Sequence, residues 1–335
     1  MIRLENISKR YNDDDYVIKD LNLDIHEGEI CAFIGPSGCG KSTTLKMINR
    51  MIEATSGDIY INEKNIKEED PDKLRMNIGY VIQEIGLLPH KTVAENIAIV
   101  PKLFGWSKKD IGLRVTEMLK IVGLDPKEYK DKYPKELSGG QMQRVGVVRA
   151  IAANPLIILM DEPFGAVDPI GRKSIQDEFL SLQKTIKKTI CFVTHDIDEA
   201  IKMGDRIAIF NDKNIVQIDT PKNILLNPIN NFVKEFIGSD RINKSYKVIY
   251  AYEVIDYIKS KENEDKKQLD SSGFVIDYKS NVSDIINIMI NNHINNVDVE
   301  NDKNIIGTIS FEDLSCYLKH LGGMSDELSI NSTNS

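Results

Sequence analysis

The sequence has no continuous run of about 18 apolar residues, which is the length that a membrane-spanning helix requires. Among the longest apolar stretches, residues 156–160 predict a buried strand. The first residues, MIRLENIS, also lack the basic, apolar and small-residue order of an export leader. We therefore expect a protein without a transmembrane segment or signal peptide that stays in the cytoplasm.

Cysteine is scarce as well, and no two cysteines form a C-x-x-C pair. The four residues are Cys31, Cys39, Cys191 and Cys316. Their spacing argues against structural zinc and disulfides, and it fits a reducing compartment. The chain also lacks clusters of lysine and arginine, and its net charge is −8. We do not expect an acidic chain without a basic face to bind nucleic acid.

The 335 residues, 41% of them apolar, are enough for two domains. Strand-like and helical segments alternate over residues 1–238, which predicts a largely parallel sheet covered by helices. The charge-dense segment KSKENEDKK at residues 259–267 indicates a linker or a solvated helix end. We predict a large α/β domain over residues 1–238, a linker over 239–272, a small α+β domain over 273–321 and a disordered tail over 322–335. In the small domain we predict a strand at 274–277, a helix at 282–292, strands at 297–300 and 304–310, and a helix at 311–320.

The segment GPSGCGKS at residues 35–42 fits the phosphate-loop pattern G-x-x-x-x-G-K-[ST]. It follows the apolar segment EICAFI and precedes the helix-compatible TTLKMINR, which is the context that the motif requires. Glycines in the loop let backbone N–H groups point inward at anionic oxygens. We expect Lys41 on the β- and γ-phosphates and Ser42 on Mg²⁺. The predicted nucleotide-binding residues are Gly35, Pro36, Ser37, Gly38, Cys39, Gly40, Lys41, Ser42 and Thr43.

Two further segments carry polar residues at the ends of apolar strands. LIILMDEP, at residues 156–163, ends in two carboxylates. We expect Asp161 to hold Mg²⁺ through water and Glu162 to polarise the attacking water; the alternative is a buried strand with a polar end. His195, in FVTHD, follows another apolar strand and is predicted to reach the γ-phosphate, although a lone histidine is more often structural.

The segment LSGGQ at residues 137–141 completes a set of motifs whose order resembles that of the ATP-binding cassette family over about the first 238 residues. The resemblance implies a P-loop NTPase cassette with a mostly parallel sheet core, an antiparallel β subdomain and a helical subdomain. It also implies that each ATP is sandwiched between two copies of the chain. Ser138, Gly139, Gly140 and Gln141 would then close on the γ-phosphate of ATP held by the other copy.

The same resemblance implies roles for residues that chemistry alone does not single out. Tyr11 matches the aromatic residue that stacks on adenine, with Tyr16 as the competing candidate. Gln83 matches the glutamine that contacts Mg²⁺ and the attacking water and reports the site to a membrane partner. Asp168 matches the residue that links the two ATP sites, although the flanking Gly165 and Val167 depart from the commoner family pattern. The candidate catalytic residues are thus Lys41, Gln83, Glu162 and His195.

Three classes of cassette protein compete: transporter ATPases, translation-associated ATPases and chromosome or repair ATPases. A single cassette without sustained heptads favours the transporter class. That class implies two transmembrane permease subunits, an extracytoplasmic substrate-binding protein and a position at the cytoplasmic face of the membrane. His90 and Trp106 lie in the stretch expected to face the permease, or serve local packing.

Longer segments, among them YVIQEIGLLPHKTVAENIAIVPKLFGW and DEPFGAVDPIGR, resemble importers of the quaternary amines glycine betaine, carnitine and choline. An importer of another small polar solute, such as a polyamine or an amino acid, is the alternative. A non-transport ATPase of the family is the remaining one.

The segment from about residue 274 to 321 resembles one cystathionine-β-synthase-type (CBS) repeat and ends in GTISFEDL. Ser310 and Asp313 match residues that hold ribose in nucleotide-binding repeats; the alternative is that they only start and cap the last helix. Residues 239–272 are either a linker or the remnant of a first repeat. A lone repeat implies pairing with the repeat of a second chain, with an adenine nucleotide, a cyclic dinucleotide or no ligand bound.

Overall fold

The computed structural model describes residues 1–12, 15–82, 86–165, 167, 169–261 and 273–322. The chain forms two compact units, Met1–Thr220 and Pro221–Ser335. The division falls ahead of the predicted end of the large domain at residue 238. The helices that follow Thr220 pack with later ones, as shown by Arg241, whose Nη1 donates to the carbonyl oxygen of Leu225 at 2.8 Å.

The larger unit contains an antiparallel sheet and a mainly parallel one. Its strands are β1 (Ile2–Asn12), β2 (Asp15–Ile25), β3 (Ile30–Ile34), β4 (Ser56–Ile61), β5 (Lys64–Asn65), β6 (Ile78–Val81), β7 (Ile157–Asp161), β8 (Thr189–Val193), β9 (Arg206–Asn211) and β10 (Asn214–Asp219). The antiparallel sheet has the order β2-β1-β4-β5, and the central sheet has the order β10-β9-β3-β8-β7-β6. Neighbours in the central sheet are parallel except for β9 and β10. The predicted mixture of a mostly parallel core and an antiparallel subdomain is confirmed.

Helices flank these sheets. They are α1 (Lys41–Ile48), α2 (Pro71–Met76), α3 (Val93–Ile97), α4 (Ile99–Leu103), α5 (Lys108–Ile121), α6 (Pro126–Tyr129), α7 (Gly139–Ile151), α8 (Pro169–Ile186) and α9 (Ile197–Met203). The helices α3 to α7 follow one another between β6 and β7 and are the helical subdomain of this unit. In the part of the chain that the structure describes, no helix combines the length and apolar character needed to cross a bilayer.

The central strands explain where the site forms. Every residue of β3 and β8 is buried, as are the first four residues of β7. Strands covered on both faces are apolar without alternation, which is the pattern of ICAFI, IILM and TICFV. Burial of each large aliphatic or aromatic side chain contributes roughly 1.5–3 kcal/mol. Because the three strands are parallel neighbours, their carboxyl ends meet at one edge of the sheet.

The smaller unit is α+β. Its elements are α10 (Pro221–Leu226), α11 (Asn231–Ile237), α12 (Arg241–Ser245), α13 (Ala251–Lys261), β11 (Val275–Asp277), α14 (Val282–Asn292), β12 (Asn296–Asn301), β13 (Asn304–Ser310) and α15 (Phe311–Gly322). The sheet order is β11-β12-β13, with β11 parallel and β13 antiparallel to β12. The β-α-β-β-α order predicted for residues 274–320 is confirmed.

Helix α13 differs from the predicted linker. Val254 and Ile255 are buried and belong to the same core as Ile309 of β13. A Cβ atom added at Gly307 would lie 2.8 Å from Cδ1 of Ile255, so the helix packs directly on the strand. Residues 251–261 are therefore an integral part of the small unit rather than a free connection. The rest of the predicted linker, 262–272, and the predicted tail from 323 onward lie outside the described residues.

Candidate active site

The phosphate loop connects buried β3 to α1. Gly40 precedes the helix in a left-handed conformation, with φ 103° and ψ 0°, and no side chain caps the helix. In the described part of the chain, the backbone N–H groups of Gly40, Lys41 and Ser42 have no acceptor. A helix N-terminus with unpaired N–H groups favours an anion, because the donors and the helix dipole point the same way. The loop is therefore built as an anion site.

Lys41 places its charge inside this loop. Its Nζ donates to the carbonyl oxygen of Gly35 at 2.8 Å and to that of Pro36 at 2.7 Å. The thiol of Cys39 lies 3.5 Å from the same Nζ. Lys41, Cys39 and Gly40 are buried, whereas the loop tip formed by residues 36–38 is exposed and Thr43 is half-buried. The predicted loop residues thus form one compact cradle around the ammonium group of Lys41.

We expect Gly35→Ala to lower the free energy of unfolding more than Gly38→Ala does. An added Cβ at Gly35 would lie 2.2 Å from the carbonyl oxygen of Phe210, whereas at Gly38 no atom lies within 4 Å. Both residues have positive φ, which costs a side chain roughly 1–2 kcal/mol. Overpacking should add about 1–3 kcal/mol at Gly35 alone. Urea unfolding of the two variants measures the difference, and equal losses would contradict the predicted contact.

Ser42 and Asp161 meet at the edge of the sheet. The hydroxyl of Ser42, in the first turn of α1, donates to Oδ1 of Asp161, the last residue of β7, at 2.8 Å. Hydroxyl and carboxylate oxygens are ligands that Mg²⁺ accepts, usually with phosphate and water completing the shell. Among the described residues, no group of three or more His, Cys, Asp or Glu side chains could hold a metal ion. Ser42 and Asp161 would thus supply two of the oxygen ligands of a Mg²⁺ ion, with phosphate and water supplying the others.

Glu162 and His195 form a second pair next to Asp161. His195 Nδ1 lies 3.5 Å from Glu162 Oε2, and the side chains are 66% and 26% exposed for His195 and Glu162 respectively. The N–H of Glu162 donates to the carbonyl oxygen of Val193 at 3.0 Å, which fixes the end of β7 to the end of β8. A carboxylate and an imidazole within reach of solvent can polarise a water molecule and exchange a proton.

The backbone of Glu162 is strained. Its φ is 47°, in the left-handed region that residues other than glycine seldom adopt. Such a conformation costs roughly 1–3 kcal/mol and persists where surrounding contacts enforce it. Here the hydrogen bond to Val193 and the turn in which Gly165 N–H donates to the Glu162 carbonyl oxygen at 3.2 Å supply those contacts. The left-handed residue thus lies at the point where β7 ends, next to the contact between Glu162 and His195.

Tyr80 lies on β6, next to β7. Burial, and then the negative charge of Asp161, raise the pKa of its hydroxyl to about 12. The hydroxyl is buried and has no hydrogen-bond partner among the described residues. Tyr80 thus stays neutral beside Asp161.

The LSGGQ segment at residues 137–141, hereafter the signature segment, includes the N-cap and the first turn of α7. Ser138 is the N-cap: its hydroxyl accepts from the Gln141 N–H at 3.3 Å, and its own N–H donates to Gln141 Oε1 at 2.9 Å. Gln141 also donates to the Tyr129 hydroxyl at 3.1 Å. In the described part of the chain, the N–H groups of Gly139 and Gly140 have no acceptor. With Ser138 and Gly139 exposed, this helix N-terminus is a second potential anion site.

The remaining predicted residues are placed as follows. Tyr11, near the end of β1, is 61% exposed, and the Nζ of Lys9 lies 5.1 Å from its ring. Its competitor Tyr16 is half-buried, with the Arg10 guanidinium 5.9 Å from its ring. Gln83 and Asp168 lie outside the described residues.

Two polar residues near the site were not predicted from the sequence. Gln143 of α7 is buried and donates to the Pro163 carbonyl oxygen, next to Glu162. Arg172 of α8 donates to the carbonyl oxygen of Val167. Each lies on a helix, where a polar residue is usually solvent-exposed, so only a gap in the helical apolar pattern could have indicated burial.

Ser310 and Asp313 lie in the smaller unit at the junction of β13 and α15. The Ser310 hydroxyl and N–H donate to Asp313 Oδ2 at 2.5 and 2.9 Å, and the Asp313 N–H donates back to the Ser310 hydroxyl at 3.1 Å. These bonds are those of a helix cap, which is the alternative interpretation of the two residues.

Comparison with known proteins adds to this geometry. Residues 18–165 match the family model described as ABC transporter. The carnitine transport ATP-binding protein OpuCA of Listeria monocytogenes is 59% identical over 242 residues, which cover 72% of this chain and 61% of that protein. The osmoprotectant import ATP-binding protein OsmV of Salmonella typhimurium is 50% identical over 260 residues, covering 76% and 68%.

A solved structure is similar as well. It is the dimeric structure of a post-hydrolysis state of the ATP-binding cassette MJ0796 bound to ADP and Pi. The identity is 36% and the TM-score is 0.59, over 66% of this chain and 98% of that one.

Proposed function

Because this chain belongs to the ABC transporter family, we propose that it is the ATP-hydrolysing subunit of an importer for quaternary-amine osmoprotectants such as glycine betaine, carnitine and choline. The observation that carries the ATPase proposal is the meeting of three segments at one sheet edge. Ser42 contacts Asp161 at 2.8 Å, and Glu162 lies 3.5 Å from His195 beside it. The cargo follows from the relatives, whose names specify carnitine and osmoprotectants.

In the proposed reaction, water attacks the γ-phosphorus of ATP in line with the bond to the β-phosphate oxygen, which breaks to leave ADP and inorganic phosphate. Glu162 orients the water and accepts its proton. Lys41 and the unpaired N–H groups at the start of α1 hold the phosphates, and His195 reaches the γ-phosphate. Such prearranged charges act most strongly where water is excluded. When bound by Ser42 and Asp161, Mg²⁺ would neutralise charge on the β- and γ-phosphates.

A second copy of the chain is the proposed partner in hydrolysis. Ser138 and Gln141 bond to each other at the start of α7, Gln141 also bonds to Tyr129, and Ser138 and Gly139 are exposed. An exposed anion site that its own chain leaves unused fits the γ-phosphate on another chain. The similar cassette solved as a dimer supports this arrangement. Gln83 and Asp168 keep their predicted roles at the metal and across the dimer.

Two permease subunits and an extracytoplasmic binding protein complete the proposed importer, which places this chain at the cytoplasmic face of the membrane. A cleft of about 240 Å³ between β6, α4 and α7 is a suitable docking place for a permease segment. Met51, 48% exposed, lines it together with Tyr80, Val100 and Arg149. Tyr80, which lines this cleft, also lies near enough to Asp161 for that carboxylate to help raise the pKa of its hydroxyl.

The smaller unit is proposed to be a CBS-like regulatory repeat. Its β-α-β-β-α order supports this, and α13 is either an added helix or the remnant of a preceding repeat. An adenine nucleotide or cyclic dinucleotide would have to compete with the cap formed by Ser310 and Asp313. Pairing of this unit with the repeat of a second chain does not require that cap to open, and we therefore favour pairing over nucleotide binding.

Uptake measurements test the cargo. In a strain that lacks this chain, plasmid-borne wild type should restore the uptake of labelled glycine betaine, choline or carnitine, and Lys41→Met should not. A labelled polyamine and a labelled amino acid serve as comparison solutes. If only the uptake of a comparison solute is restored, the proposed quaternary-amine cargo is wrong, but the chain is still the ATPase of an importer. Restoration of none, with ATP hydrolysis intact, would favour a non-transport ATPase.

A further inference from the structure

The helix α8 and the first turn of α9 are joined by polar contacts on one face of each helix. Arg172 and Gln176 are four residues apart on α8 and therefore neighbours on its surface. Nη1 of Arg172 lies 3.6 Å from Asp196 Oδ2, and Nε2 of Gln176 donates to Glu199 Oε1 at 2.9 Å. Asp196 is the N-cap of α9, and its Oδ1 accepts from the Glu199 N–H at 3.2 Å. The start of α9 is thus attached to α8.

Arg172 makes one further contact, outside this helix pair. Its Nη2 donates to the carbonyl oxygen of Val167 at 3.1 Å. Val167 directly precedes Asp168, the residue predicted to link the two ATP sites, and Asp196 directly follows His195. One guanidinium therefore contacts the segment next to each of them. A planar fork of donors can hold two acceptors in a fixed relation, which an ammonium group does poorly.

The Arg172 guanidinium is thus held by one contact to Val167 and one to Asp196. The side chain is 25% exposed, and its Nε is buried without an acceptor in the described part of the chain. Loss of the side chain would remove one hydrogen bond from the Val167 carbonyl oxygen and the cation next to the Asp196 carboxylate. The segment at Val167 and the segment at His195 and Asp196 would then lose the side chain that connects them.

We propose that Arg172 is a positioning residue that couples the segment at Val167 to His195, so that engagement of that segment by the second chain sets the imidazole relative to Glu162. This inference rests on the proposed ATPase function. It assigns Arg172 no contact with ATP. A purely structural role, that of fastening α8 to α9, is the competing explanation.

A matched control separates the two explanations. Lys202 of α9 also bonds to α8, with Nζ 2.7 Å from Asp177 Oδ1, but its contacts do not include the segments next to Val167 and His195. Arg172→Met should lower kcat for ATP about 10- to 100-fold, the scale of a small misplacement of reacting groups, with KM changed less than about twofold. Lys202→Met should leave kcat within about twofold. Arg172→Lys should fall between wild type and Arg172→Met, since an ammonium can keep one contact.

The measurements use purified full-length chain, with the melting temperature of each variant as the stability readout. Equal kcat for Arg172→Met and Lys202→Met would overturn the proposal, as would a KM that rises in step with the loss of kcat. In a double-mutant cycle on kcat, Asp196→Asn should lower kcat little further once Arg172 is replaced by methionine. Losses of kcat that multiply in the double variant would refute the coupling. The Hill coefficient for ATP should fall toward one in Arg172→Met. If the wild type itself fails to hydrolyse ATP, the proposed function fails instead.

Discussion

Replacing Glu162 by glutamine is expected to lower the rate of ATP hydrolysis about 10²- to 10⁴-fold, the contribution of a positioned general base. The amide keeps the size of the side chain but cannot accept the proton of the attacking water. Affinity for ATP should change less than about threefold, because the phosphates are held by Lys41 and the start of α1. Steady-state hydrolysis and equilibrium binding of ATP provide the two measurements.

The control for this substitution is Glu117→Gln. Glu117 has an exposed carboxylate that lies 2.9 Å from Arg114 on the same helix. Its replacement by glutamine should leave the rate of ATP hydrolysis unchanged. Hydrolysis at the wild-type rate in Glu162→Gln would remove Glu162 from its proposed role. Loss of ATP binding would instead mean that the strained backbone at residue 162 requires the native side chain.

Replacing Ser138 by arginine is expected to abolish hydrolysis, by about 10²-fold or more, without weakening the binding of ATP to a single chain. Removal of one donor from a site that stabilises developing charge costs about 10²- to 10³-fold. The hydroxyl also caps α7, so a loss of stability of about 1 kcal/mol should accompany the change. The bulky side chain would cover the start of α7, where Gly139 is exposed.

Lys41→Met provides the contrast, since it should lose affinity for ATP in the single chain. In the Glu162→Gln background, ATP should make two chains elute together from a sizing column, and added Ser138→Arg should prevent it. If Ser138→Arg weakens binding to the single chain as much as Lys41→Met does, the signature segment serves its own ATP, and the sandwich is wrong.

The motifs of the cassette were predictable because local chemistry dictates them. A glycine-rich loop after an apolar strand predicts the cradle around Lys41, and a strand that ends in two carboxylates predicts the meeting of Asp161 with Ser42. Their proximity follows once the strands are placed in one parallel sheet. The contact between Gln143 and the Pro163 carbonyl was not predictable, since it depends on how α7 rotates against the sheet.

The helix α13 lies in the segment between the two predicted domains and was not predicted from the sequence. The charged run at residues 259–267 predicted a linker or a solvated helix end, and α13 ends within it at Lys261. Ala251, Val254 and Ile255 recur at the three- and four-residue intervals of an amphipathic helix, and all three are buried. The apolar spacing therefore indicates α13, and the charged run indicates only where the helix ends.

The order of strands in the central sheet affects how the chain folds during synthesis. β3, β8 and β7 lie side by side, yet the loop after β3 precedes His195 by more than half of the cassette. Contacts between such distant segments form slowly, because a long loop must close before they stabilise anything. During synthesis the phosphate cradle leaves the ribosome first and the histidine last. Because β3 pairs with β8 and β9, the cradle gains its neighbouring strands only after both have been synthesised, and turnover reports that the whole sheet has closed.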